Sequence, residues 1–160
     1  MNLAPKGFKD HPYSYHQELI LVIENVTNLG LGIARDNGWV VQIAFVLPGE
    51  KVRARIFRNH KSYSDADCIE VLEKSPDRVD PYCSLFGTCG GCQYQSVKYS
   101  TQLQWKRNQV IDNFERISGL HVDVLPVVPS PNQYGYRSKL TPHYEKARSS
   151  DRRKIGFLRY

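Results

Sequence analysis

The chain has 160 residues, enough for one ordinary domain or two small ones, and its 41% hydrophobic content argues against wholesale disorder. No apolar run approaches the roughly 20 residues of a bilayer-spanning helix, and the opening MNLAPKGFKDHPYSYHQ lacks the continuous apolar core of a signal peptide. The expectation is a soluble, cytoplasmic protein with no membrane role and no sign of an obligate protein partner. Its formal charge of +6 is uneven: residues 1–130 balance 14 Lys/Arg against 14 Asp/Glu, so the whole excess falls in residues 131–160. A localised basic segment points to a polyanion, most often nucleic acid, or to a solvated tail.

In chain order, residues 1–17 read as a flexible lead-in. Residues 18–74 read as five short strands. ELILVIENV is rich in Leu, Ile and Val, and the following segment carries Asn37-Gly38 between GIAR and WVVQI. Asn-Gly favours the positive φ angles of a type I′ turn, which predicts a hairpin. Leu47-Pro48-Gly49-Glu50 supplies the next turn. KVRARIF alternates Val52, Ala54 and Ile56 with Lys51, Arg53 and Arg55, the period-two pattern of a half-buried strand. SYSDADCIEVLEK is the fifth candidate. Five strands in so short a span predict an OB-like barrel. Its cationic face fits a nucleic-acid backbone and equally an exposed polar face with no ligand.

SPDRVDPY separates this barrel from a second region, residues 75–160, expected to be a small α+β fold. The whole chain is therefore read as mainly β with one substantial helix. That helix is expected from about Ser100 to Ser118, with Ser100 as its cap and Gly119 as its stop. Leu103, Arg107, Val110, Ile111, Phe114 and Ile117 recur at helical spacing, a stripe read as packing. YGYRSKLTPHYEK and IGFLRY are possible hairpin partners across ARSSDRRK.

Between linker and helix lies CSLFGTCGGCQYQ, with Cys83, Cys89 and Cys92 inside ten residues. A disulfide framework does not fit a reducing cytosol. Thiolates are soft ligands for zinc or iron–sulfur clusters, and spacing alone does not choose between them. Gly90-Gly91 is expected to supply unusual φ values and close N–H approach to sulfur. Zinc prefers four ligands, and a second Cys-x-x-Cys is missing. Cys68 stands apart and reads as an ordinary buried thiol. Nothing in the spacing of His143 recommends it as a ligand.

PYCSLFGTCGGCQYQ resembles the iron–sulfur signature of the RNA 5-methyluridine (uridine-C5) methyltransferases. GLGIAR and LPGEKVRARI resemble the TRAM domain, an OB-like RNA-binding barrel, while QLQWKRNQV, VVPSP, YGYRSKLTPHY and IGFLR are similar to the region around the cluster. The resemblance runs from about residue 15 to the end. It implies a [4Fe-4S] cluster on Cys83, Cys89 and Cys92, with zinc as the alternative, and a fourth family cysteine expected beyond Tyr160. It also implies an S-adenosylmethionine-binding catalytic domain that these residues do not include, so this chain alone is expected to be inactive and to end mid-domain. In that reading RNA (tRNA or rRNA) is the partner. Lys51, Arg53, Arg55, Arg137, Lys139, Arg152, Arg153 and Lys154 would meet phosphates, and Tyr134 and Tyr136 would stack on bases or pack against the helix. The alternatives are a stand-alone RNA-binding module with a zinc or iron–sulfur staple and, with less support, an electron carrier.

Overall fold

The structure is a computed structural model, and it describes residues 4–144 and 155–158. The chain divides into two compact units, Met1–Arg78 and Val79–Tyr160.

The first unit is a six-stranded sheet made of β1 (Glu18–Val22), β2 (Asn25–Val26), β3 (Leu31–Asp36), β4 (Trp39–Ala44), β5 (Lys51–Asn59) and β6 (Tyr63–Glu73). Their spatial order is β1-β5-β6-β4-β3-β2. The β4–β6 pair is parallel and all other pairs are antiparallel. Six strands stand where the sequence predicts five, because ELILVIENV breaks at Ile23–Glu24. Before the break it pairs with β5, and after it with β3. One short stretch thus forms both edges of the sheet, which curls the sheet on itself. β1 and β2 remain its two edge strands. Gly32 sits under this crossing. A Cβ there would lie 2.3 Å from Val46 Cγ2 and 3.1 Å from Ile23 Cγ2, so only glycine fits.

Local signals formed as read. Asn37 and Gly38 both take positive φ, 49° and 85°, and join β3 to β4. Along β5, Val52, Ala54 and Ile56 are fully buried while the intervening basic residues are half-exposed. With Leu21, Ile23, Ala34, Val41, Ile43, Val46 and Ala66 they make the core.

The lead-in differs from its expected looseness. Tyr13 is 7% exposed and belongs to the core, with its hydroxyl donating to Asp36 at 2.9 Å. The Asn59 side chain donates to the carbonyls of Lys9 and Tyr13, and the His16 N–H reaches the Ile56 carbonyl. Apolar burial and backbone bonding of residues distant in sequence fasten this segment.

Glu50 is fully buried. Its carboxylate accepts from Leu47 N–H at 2.9 Å and from the Arg78 guanidinium at 2.7 Å, and Arg78 also donates to the Phe45 carbonyl. Breaking a buried pair by removing one partner strands the other charge.

The second unit carries α1 (Tyr99–Asn113), continued by a π-helical turn at Phe114–Ser118 and closed by Gly119. Lys98, not Ser100, is the N-cap, and it makes no side-chain capping bond. The expected packing stripe is largely uncovered among the described residues: Val110, Phe114 and Ile117 are 42%, 43% and 83% exposed. Arg107 uses its place in that stripe to donate to the Val124 carbonyl at 2.7 Å, docking the extended segment that follows. β7 (His143–Tyr144) and β8 (Ile155–Gly156) pair antiparallel, as the predicted hairpin requires. No helix among the described residues is long and apolar enough to cross a membrane.

Replacing Glu50 with Gln is expected to cost about 3 kcal/mol in denaturant unfolding, since Arg78 loses its counter-charge. Burial first, and then the bond to Asp36, push the Tyr13 phenol up to about 12. A pKa raised by folding adds stability that is complete below the ordinary value near 10 and lost as pH rises through about 12. The stability difference between the wild type and Tyr13→Phe should therefore shrink across that window, and a constant difference would refute the assignment.

Candidate cysteine loop and basic surfaces

The cysteine loop belongs to the second unit and is organised by short-range turns. Phe86 N–H bonds the Cys83 carbonyl, and Cys89 N–H bonds the Leu85 carbonyl at 2.9 Å. Its two ends are joined by one side chain. The Gln95 carbonyl oxygen accepts from the Cys83 N–H at 3.0 Å, while its amide nitrogen donates to Cys92 Sγ at 3.1 Å. Gly91 N–H points at Cys89 Sγ at 3.4 Å. Two of the three sulfurs thus already receive N–H donors.

The glycine pair acts through proximity. Neither Gly90 nor Gly91 takes a positive φ. A Cβ on Gly91 would lie 3.3 Å from Cys89 Sγ and 3.5 Å from the Phe157 ring. Gly90 N–H bonds the Leu158 carbonyl at 2.9 Å, so the segment after β8 runs beside the loop.

Cys83 and Cys89 are half-buried, Cys92 is exposed, and all are free thiols. They are the donors a soft metal would take. Among the described residues no three Cys, His, Asp or Glu side chains sit closely enough to hold a metal ion, so the loop gathers the thiols without converging them. Cys68 lies on β6 in the first unit. Burial pushes its thiol pKa up, opposed by the Arg78 charge.

The cations of β5 have partners that periodicity could not reveal. Lys51 pairs with Glu73 at 3.1 Å, Arg53 with Glu70 at 2.8 Å, and Arg55 with Asp67 at 3.4 Å. This is a cross-strand ladder set by the β5–β6 register. In the second unit, Tyr134 and Tyr136 are 50% and 64% exposed, and Arg137 and Lys139 are exposed beside them. The Tyr134 ring meets that of Tyr82, next to Cys83, at a centroid distance of 5.1 Å. Arg152, Arg153 and Lys154 lie outside the described residues. Sequence reasoning missed Gln95 and Tyr82, because neither has a spacing rule that marks it.

No protein-family model matches the chain. It is 40% identical over 136 residues to a protein of Thermotoga maritima named an uncharacterized RNA methyltransferase, covering 81% of this chain and 31% of the relative. A Clostridium acetobutylicum protein of the same description is 35% identical over 152 residues, covering 92% and 32%. The chain thus spans about a third of the length of the curated relatives it matches. Among solved structures, the Pyrococcus abyssi tRNA (uracil-54, C5)-methyltransferase in complex with S-adenosyl-L-homocysteine is 26% identical, covering 66% of this chain and 23% of that one, at a TM-score of 0.39.

Gln95→Leu is expected to release the Cys83 amide. Losing one hydrogen bond, of about 1 kcal/mol, should speed its hydrogen exchange roughly five- to tenfold. An unchanged rate would mean the bond does not hold the loop.

Proposed function

We propose that this chain is the RNA-recognition and cluster-bearing part of an S-adenosylmethionine-dependent RNA uridine-C5 methyltransferase. The observation that carries the reading is the 40% identity over 136 residues to a protein named as an RNA methyltransferase. The finer points, uridine C5 and a TRAM-type barrel, rest on the sequence resemblance of GLGIAR, LPGEKVRARI and the cysteine signature.

Cys83, Cys89 and Cys92 are the proposed ligands of a [4Fe-4S] cluster. Three reduced thiols in one loop, with N–H donors already at Cys89 and Cys92, support that assignment. When bound, the cluster would cross-link the loop; methyl transfer to a uracil ring itself needs no redox step. None of the described residues is assigned to methyl transfer, and S-adenosylmethionine is placed outside them.

RNA contact is proposed first for the second unit, which holds the excess positive charge. Arg137 and Lys139 would meet phosphates, and Tyr134 and Tyr136 offer exposed rings to unpaired bases. Arg152, Arg153 and Lys154 extend the same basic segment in sequence. Lys51, Arg53 and Arg55 would reach phosphates only by exchanging their carboxylate partners. Each exchange returns little net free energy, because exposed pairs are themselves worth about 0.2–1 kcal/mol.

Anaerobic reconstitution followed by a tRNA titration tests both halves. The expected result is a brown protein containing iron and sulfide. Its RNA affinity should fall linearly on a log–log plot against salt, through counterion release. Stoichiometric zinc without sulfide would sink the cluster assignment, and absent or salt-insensitive binding would sink the RNA assignment.

A further inference from the structure

The first unit contains a cleft of about 380 Å³ between the lead-in and the end of β5. Three cations line it, Lys6, Lys9 and Arg58, together with three aromatic rings, Phe8, Tyr15 and Phe57. Among the described residues no carboxylate pairs with any of these three cations, whereas every cation of the ladder higher up β5 has one. Arg58 is exposed and the three rings are half-buried, so positive charge stands at an open edge over an apolar wall.

The wall is held in place. Asn59 is 6% exposed, and its amide donates to the carbonyls of Lys9 at 2.7 Å and Tyr13 at 2.6 Å while its oxygen accepts from Ser64. Phe8 and Tyr15 pack edge to face at 5.1 Å, and Tyr15 stacks on His16 at 3.8 Å. A polar buried side chain thus ties the lead-in to β5, and the rings brace each other. Such a cleft needs little reordering to take a ligand.

We propose that this cleft binds an unpaired nucleotide of RNA, with the base against Phe8, Tyr15 and Phe57 and the neighbouring phosphates at Lys6, Lys9 and Arg58. Its volume lies at the lower end of the range for small-ligand sites, roughly 300–1,000 Å³, which suits one nucleotide. Aromatic stacking is worth about 1–3 kcal/mol per base, and free cations give phosphate binding its salt dependence. The site gives the first unit an RNA contact that its ion-paired ladder does not offer. It rests on the reading of RNA as the partner.

The test uses the whole chain and a labelled oligouridylate of about twelve nucleotides, within the span a single barrel covers. Lys6→Ala/Lys9→Ala/Arg58→Ala should weaken binding at least tenfold near ~100 mM salt and reduce the log–log salt slope by about two. Phe57→Leu should weaken it about fivefold at the low end of stacking energies, and Lys9→Arg should retain wild-type affinity. Thermal midpoints of the variants, close to wild type, show that folding is intact. Failure of the wild type to bind the oligomer overturns the RNA reading and this site with it. Normal binding by both the triple variant and Phe57→Leu overturns the cleft alone. Equal affinity for a duplex of the same length, or full affinity for uridine monophosphate, would show that the ligand is not an unpaired nucleotide within RNA.

Discussion

The first unit depends on one buried carboxylate. Glu50 ends the turn that leads into β5, and its side chain has no contact with solvent. Unpaired, a carboxylate there would cost several kcal/mol. The chain supplies Leu47 N–H from the same turn, Ser75 N–H from beyond β6, and the Arg78 guanidinium. Arg78 in turn holds the Phe45 carbonyl just past β4. The backbone of Glu50 is equally committed, because its carbonyl accepts the N–H of Ile23, where the first strand crosses from one sheet edge to the other. The curl of the sheet, the turn before β5 and the exit toward the second unit therefore share a single residue. Moving any one of them leaves a buried charge or a backbone donor without a partner.

The same register that buries Val52, Ala54 and Ile56 fixes the fate of the charges opposite them. With Arg53 against Glu70 and Arg55 against Asp67 across β5 and β6, the outer face becomes an alternation of cations and anions. Residues 1–78 contain ten Lys/Arg and ten Asp/Glu, so this unit has no net charge to attract a polyanion at long range. Residues 79–160 hold the whole excess of six. Long-range attraction thus falls to the second unit. A contact on the first unit requires cations left locally unpaired, and Lys6, Lys9 and Arg58, where the lead-in meets the end of β5, are among them.

What the sequence disclosed was local. Asn37-Gly38 specifies its hairpin because two adjacent residues suffice to set the turn, and alternation in KVRARIF specifies which residues are buried because a strand has period two. Partners were not legible, since they lie far along the chain. Glu73, Glu70 and Asp67 neutralise a strand that looked cationic when read alone. Asn59, more than forty residues away, converts an apparent loose lead-in into part of the core wall. The α1 pattern was legible as an apolar stripe, but a pattern does not say what covers a stripe. Arg107 within it turned out to bind a carbonyl.

At the cysteine loop the division between local and distant information is sharpest. Thiol spacing alone points to a soft-metal loop, and the glycine pair alone to conformational relief. The structure gives Gly91 a different constraint: it passes so close to Cys89 Sγ and the Phe157 ring that a side chain would crowd both. Gln95 then ties Cys83 to Cys92 through one neutral amide. The ends of the loop and two of its sulfurs are engaged by N–H and carbonyl groups. Metal binding would have to draw Cys83, Cys89 and Cys92 together against those bonds or alongside them. The Gln95 bond to Cys92 Sγ is compatible with ligation, because a coordinated thiolate still accepts hydrogen bonds and is tuned by them. The donors at Cys89 and Cys92 and the Gln95 bond to the Cys83 N–H organise the loop, and what a cluster would add is convergence of the sulfurs.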